Sequence, residues 1–150
     1  MNDSLVAALK TKLKHYEATY RHPALERFGI NEPYALFPRD GEVTSLRWDD
    51  EWPSSKRAGV YLIYGDSRLL YVGTAWTLGP RLGCYFQNED PKSTVRKCKV
   101  IHTAWTETPK YVVTIAVPDT SRFEAAALEE YLISELRPCD NTVGRLASAA

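Results

Sequence analysis

Four residues of this chain are of the types that move protons, grip anions and hold cations: Tyr61, Tyr71, Arg81 and Glu129. Tyr61 stands two residues after Gly59, and Tyr71 stands two residues before Gly73. Arg81 follows on the next expected helix, with Tyr85 one turn further along the same face. Glu129 has Ala125, Ala126, Leu132 and Ile133 as its one-turn neighbours, and a carboxylate in that company needs a partner. A divalent cation would serve, because Mg²⁺ takes one or two protein carboxylates and fills its other positions with water and phosphate oxygens. Such a set suits in-line attack on a phosphodiester, which needs a nucleophilic water, a cation on the phosphate oxygens and fixed donors aimed at the developing charge. Tyrosine is a weak base at its free pKa of about 10, so the scheme requires the cation and Arg81 to lower the cost of phenolate formation.

The elements that must position these groups follow from the pattern around them. Val60 to Tyr64 and Leu69 to Val72 are two β-rich runs joined by Gly65-Asp66-Ser67-Arg68, which predicts a hairpin carrying one tyrosine on each arm. Thr77 is placed to cap a helix running to about Phe86, with Pro80 tolerated in its first turn. Gly79 and Gly83 weaken that helix by about 1 kcal/mol each relative to alanine, so it depends on packing. Val95 to Thr103 and Lys110 to Val117 read as two further strands about a turn at Glu107-Thr108-Pro109. Ser121-Arg122-Phe123-Glu124 matches a capping box, and the helix it opens carries Glu129 and stops before Pro138.

Upstream, Leu5, Leu9, Leu13, Tyr16 and Tyr20 recur at helical spacing behind an Asp3 or Ser4 cap, ending at His22-Pro23. Residues 31 to 53 read as a long ordered loop with one short strand around Val43 to Trp48, held down by Tyr34, Leu36, Phe37, Leu46, Trp48 and Trp52. The fold class expected is α+β, a small sheet with an N-terminal-side β-hairpin flanked by helices. Residues 1–56 form a helix and ordered extension packed on the core, residues 57–145 the domain bearing the four groups, and residues 146–150 a frayed tail.

With 150 residues and 44% hydrophobic content, the chain suits a single core. Formal net charge is zero and the pI about 6.8, so any grip on nucleic acid must come from a local patch. Cys84, Cys98 and Cys139 are odd in number and widely spaced, without a zinc-like grouping, and read as reduced thiols of a cytoplasmic protein. Neither a signal-peptide core nor a membrane-length apolar run is present, so no membrane partner is expected.

Gly59-Val60-Tyr61, Tyr71-Val72-Gly73, the stretch Leu70 to Phe86 with its Arg-Leu-x-x-Tyr-Phe ending, and Leu128 to Ile133 followed by Arg137-Pro138 and Asn141 together resemble the GIY-YIG nuclease family. The spacing is most like that of the N-terminal nuclease domain of the excision-repair incision enzyme. The resemblance covers roughly Gly59 to Asn141 and implies a metal-dependent endonuclease, acting on DNA, that uses a single Mg²⁺ or Mn²⁺. It implies that Glu129 holds the ion, that Tyr61 takes the proton from the attacking water with Tyr71 orienting it, and that Arg81 binds the scissile phosphate. Thr74 stands where the repair enzymes often carry lysine, so one phosphate-side positive charge is missing.

Around this set, Thr74, Trp76, Tyr85, Lys92, Arg96, Lys97 and Asn141 are candidate substrate contacts. Lys92, Arg96, Lys97 and Lys99 could form a phosphate track or a solvated strand face. Trp76 could stack on an unpaired base or pack in the core. Asn141 could cap the glutamate helix as well as line the site. His102 stands alone and reads as structural. Two rival readings share the fold: a catalytically silent module binding nucleic acid or protein, and a nuclease toxin or defence protein whose residues 1–56 dock a protein partner.

Overall fold

The computed structural model describes residues 1–37, 52–92, 97–101 and 104–141. Its centre is the hairpin of β3 (Gly59–Tyr64) and β4 (Leu69–Ala75), with a bulge between Ile63 and Tyr64. Every residue of β3 is buried, because both faces of the sheet are covered. Val60, Leu62 and Tyr64 face a core shared with α1 (Asp3–Tyr20) and α3 (Glu124–Leu136). Tyr61 and Ile63 face a second core with Leu78 and Leu82 of α2 (Leu78–Gly83), Phe86 and Cys98.

The sheet is antiparallel. β7 (Tyr111–Ala116) lies on the other side of β3 from β4, and the short β1 (Gly29–Ile30) and β2 (Tyr34–Ala35) both pair with β7. β4 is therefore an edge strand. Cys139 N–H donates to Leu69 O at 3.2 Å and Asp140 N–H to Leu70 O at 2.8 Å, so the segment after α3 runs along that edge. Gly59 is small because β7 comes close: a Cβ there would drive into the Ile115 carbonyl and lie 3.1 Å from Ala116 Cα.

Several expectations need correction. The cap of α1 is Asn2, whose Oδ1 accepts from Ser4 N–H at 3.0 Å, not Asp3 or Ser4. The helix ends at Tyr20, which is exposed, while Leu9, Leu13 and Tyr16 carry the packing. α2 stops at Gly83, short of Phe86, because Cys84 and Tyr85 N–H groups turn back to Arg81 O and Leu82 O, and Phe86 starts a strand. That strand, β5 (Phe86–Asn88), pairs with β6 (Cys98–Val100) in a separate two-stranded sheet, so β6 is shorter than the expected Val95 to Thr103 run and does not neighbour β7. Residues 43 to 48, where one short strand was expected, and His102 lie outside the described residues.

The Ser121–Glu124 capping box does not form. Ser121 belongs to a 3₁₀ turn (Asp119–Ser121), and its hydroxyl donates to the Glu124 carboxylate. The same carboxylate is held by Arg21 Nε at 2.6 Å and Nη2 at 2.9 Å, which ties the end of α1 to the start of α3. Among the described residues no helix is long and apolar enough to cross a membrane.

Candidate active site

Antiparallel pairing puts partners on the same face of the sheet, so the Tyr61–Gly73 and Ile63–Tyr71 pairs align Tyr61 and Tyr71 on the α2 side. Their rings stack 6.1 Å apart at 28°. Gly73 leaves the space that the Tyr61 phenol fills: a Cβ at 73 would lie 2.5 Å from Tyr61 Cζ and 2.8 Å from Tyr71 Cε1. Tyr61 is fully buried, and its hydroxyl is 3.0 Å from the Tyr85 hydroxyl. Arg81 Nε donates to Tyr61 Oη at 3.4 Å.

α2 can deliver Arg81 there despite its two glycines because its first turn is held by the preceding chain. Leu78 N–H donates to Arg57 O at 3.0 Å and Gly79 N–H to Ser55 O at 2.8 Å. Thr77 occupies the cap position without a side-chain hydrogen bond. Trp105 closes the aromatic group from the other side, its ring 6.2 Å from Tyr71 and 6.0 Å from Tyr85.

Glu129 reaches the site from the opposite face, over the β4 edge. On an antiparallel edge strand, alternate residues turn both backbone polar groups outward. Val72 is one of these, and Asn141 satisfies it: Oδ1 accepts Val72 N–H at 2.8 Å and Nδ2 donates to Val72 O at 2.9 Å. Asn141 is 5% exposed and acts as a one-residue strand partner, while the C-cap of α3 is Arg137 in the left-handed region. Thr74 is the next outward residue: its hydroxyl donates to the Glu129 carboxylate at 3.5 Å, and the same residue's backbone N–H lowers the carboxylate's pKa.

The electrostatics tie the groups into one cluster. Burial raises Glu129 above the usual carboxylate range, against the lowering influence of the Thr74 hydrogen bonds and the Arg81 charge. Burial also raises Tyr71, with Tyr85 and Glu129 adding to the effect. Tyr61 is pushed up by burial first and its Tyr85 hydrogen bond second, and Arg81 opposes both. Arg81 itself is raised, chiefly by its hydrogen bond to Tyr61.

Glu129 is half-buried, and its only hydrogen-bond partners among the described residues come from Thr74. Nor do the described residues contain a group of three His, Cys, Asp or Glu that could enclose a metal. A lone, partly desolvated carboxylate fits a hard ion that keeps water and phosphate oxygens for its other positions, and does not fit zinc.

A family model described as the UvrC-like GIY-YIG domain matches residues 57–142, more than half of the chain. The chain belongs to this family. The GIY-YIG domain has a nuclease-type fold, typically that of a metal-dependent endonuclease, and GIY-YIG nucleases generally use a divalent metal. Comparison with curated proteins and with solved structures gave no match.

The remaining GIY-YIG candidates are spread more widely. Lys92, beyond the end of β5, and Lys97, just before β6, are exposed, and Arg96 lies outside the described residues. Trp76 is 68% exposed, which removes the core-packing alternative. Sequence reasoning missed the Tyr61–Tyr85 hydroxyl pair, Trp105, and Arg122, whose guanidinium lies over Trp76. The seven-residue spacing of Arg122 from Glu129 was the available signal for the last.

Proposed function

We propose that this protein is a metal-dependent endonuclease that hydrolyses phosphodiester bonds of nucleic acid, with DNA as the preferred substrate. The observation that carries the reading is the joining of Tyr61, Tyr85 and Arg81 by hydrogen bonds beside a Glu129 carboxylate without a cationic partner within ion-pair distance among the described residues.

Glu129 would hold a single Mg²⁺ or Mn²⁺, which when bound polarises a phosphoryl oxygen and supplies an acidified water. Arg81 offers its guanidinium to the scissile phosphate and offsets the negative charge that grows there. Tyr61 accepts the proton of the attacking water. Because burial keeps Tyr61 protonated, it takes that proton only as its own hydroxyl proton passes to the half-buried Tyr85 hydroxyl 3.0 Å away, which in turn releases a proton to solvent. Tyr71, stacked on Tyr61, orients the water. Thr74 fixes the Glu129 carboxylate, a positioning role that a lysine at this place would not fill in the same way. Asn141 acts through Val72 by setting the β4 edge on which Thr74 sits. Lys92 and Lys97 would extend the phosphate path.

In this reading the nuclease unit is residues 57–145, with 1–56 as a packed extension in a cytoplasmic protein whose three cysteines stay reduced. The deciding experiment is cleavage of labelled single- and double-stranded DNA and RNA by wild type and Glu129→Ala, with Mg²⁺, Mn²⁺ or chelator. Metal-dependent cutting that disappears in the variant is expected. Folded wild type that cuts nothing, or a variant that cuts equally well, would remove the catalytic assignment.

A further inference from the structure

Trp76 and Phe123 are the two most exposed large hydrophobic residues among those described, at 68% and 76%, and neither belongs to the catalytic cluster. Trp76 directly follows β4, two residues beyond the Thr74 that holds Glu129. Its indole is fixed in place: Arg122 Nη2 donates to Trp76 O at 2.9 Å, and the guanidinium carbon lies 4.8 Å from the ring centroid. One face of the ring is thus covered by a cation. With a cation on that face the residue is still 68% exposed, which leaves the other face free to meet a ligand.

α3 relates this pair to the catalytic cluster. Arg122 and Phe123 both have right-handed helical dihedrals, φ −55° ψ −29° and φ −60° ψ −21°, so helical geometry runs on from Arg122 into α3. Arg122, Ala126 and Glu129 then lie on one face, with Arg122 about 10 Å along the axis from Glu129 at 1.5 Å per residue. At about 3.4 Å per stacked nucleotide, a separation of this order corresponds to a few nucleotides of one strand. A planar ring with a guanidinium behind it and an open face in front suits an unpaired base, since every base offers a π face and the nearby cation favours the phosphate chain. A paired base inside a duplex could not present that face.

Building on the nuclease reading, we propose that the open face of Trp76, braced by Arg122, stacks an unpaired base a few nucleotides from the scissile phosphate. The preferred substrate is then DNA with a single-stranded segment beside the cut. Arg122 is a positioning residue in this scheme, because it holds the indole rather than touching the reacting atoms.

The test uses duplexes with a single-stranded arm in which 2-aminopurine, quenched on stacking, is stepped through the arm one nucleotide at a time. Binding is read in chelator with the full-length protein, and cleavage of armed and plain duplex is read separately with Mg²⁺. Quenching confined to one or two adjacent positions is expected, lost in Trp76→Ala, retained in Trp76→Phe and weakened in Arg122→Ala. Trp76→Ala should also lower the preference for armed over plain duplex by about tenfold. Thermal melting should be unchanged in all three variants, since both side chains are exposed.

If the wild type cuts in a Glu129-dependent way but shows no Trp76-dependent quenching and an unaltered preference in Trp76→Ala, the stacking proposal falls and the nuclease reading stands. Trp76-dependent quenching by a protein that cuts nothing supports stacking and removes the nuclease reading. Neither signal removes both.

Discussion

Replacing Gly73 with alanine probes the packing that places Tyr61. The added Cβ would lie 2.5 Å from Tyr61 Cζ and 2.8 Å from Tyr71 Cε1, where ordinary contact begins near 3.4 Å, so the Tyr61 ring must retreat by about 1 Å. It has nowhere to go, being fully buried between the sheet and α2. Overpacking of this kind costs about 1–3 kcal/mol of stability. Displacement of the hydroxyl from Tyr85 and Arg81 should lower the cleavage rate by about 100-fold, the penalty for a misplacement near 1 Å. Urea denaturation gives the first quantity and single-turnover cleavage the second.

A double-mutant cycle makes the argument specific. Tyr61→Phe alone loses the hydroxyl's hydrogen bonds, costing about 1 kcal/mol. In the Gly73→Ala background it also removes the Tyr61 hydroxyl oxygen, which lies closer to the new Cβ than Cζ does, so the same change should cost less there or become stabilising, a coupling of about 1 kcal/mol. Relief stays partial because Cζ and Tyr71 Cε1 remain. Additive effects, or a Gly73→Ala protein with wild-type stability and rate, would show that Gly73 does not shape the tyrosine's position.

Asn141→Ala should cost about 2–4 kcal/mol, since it strips both partners from a buried stretch of edge strand, and hydrogen exchange at the Val72 amide should speed up; unchanged exchange would contradict the edge role. Arg21 and Glu124 form an ion pair with side chains 4% and 8% exposed, and removing either partner should cost about 3–5 kcal/mol in thermal or urea unfolding. The Glu124 pKa is lowered, first by Arg21, so its contribution is present above the ordinary carboxylate value of about 4.3 and is lost as pH falls through the lower folded value. Glu124→Gln should therefore flatten the acid limb of the stability profile, and an unaltered limb would count against the linkage. Tyr85→Phe should slow cleavage by about tenfold or more while leaving the melting temperature close to wild type, and Arg81→Lys should be slower still because an ammonium cannot reproduce the guanidinium's geometry; equal rates would remove both residues from the mechanism.

What the sequence determined is local or periodic. The hairpin was legible because β-branched and aromatic runs flank a Gly-Asp-Ser turn, and the glutamate helix because its apolar positions recur at helical spacing before Pro138. The types and order of Tyr61, Tyr71, Arg81 and Glu129 were likewise on the page, and they were enough to suggest the chemistry. Tertiary structure decided where those residues meet. Local propensity carries the helix on to Phe86 because it cannot weigh the burial that a distant partner strand, β6, provides.

The capping box failed for a related reason: Arg21, far away in sequence, takes the Glu124 carboxylate that a local pattern assigned to the helix end. Asn141 could be read as a cap or a ligand, but its use as a strand partner depends on β4 being an edge, a property of sheet order. The Tyr61–Tyr85 pair and the Arg122 brace behind Trp76 join side chains 24 and 46 residues apart. Such contacts are set by the packing of α2 and α3 around the sheet, so they leave no periodic trace in the chain that makes them.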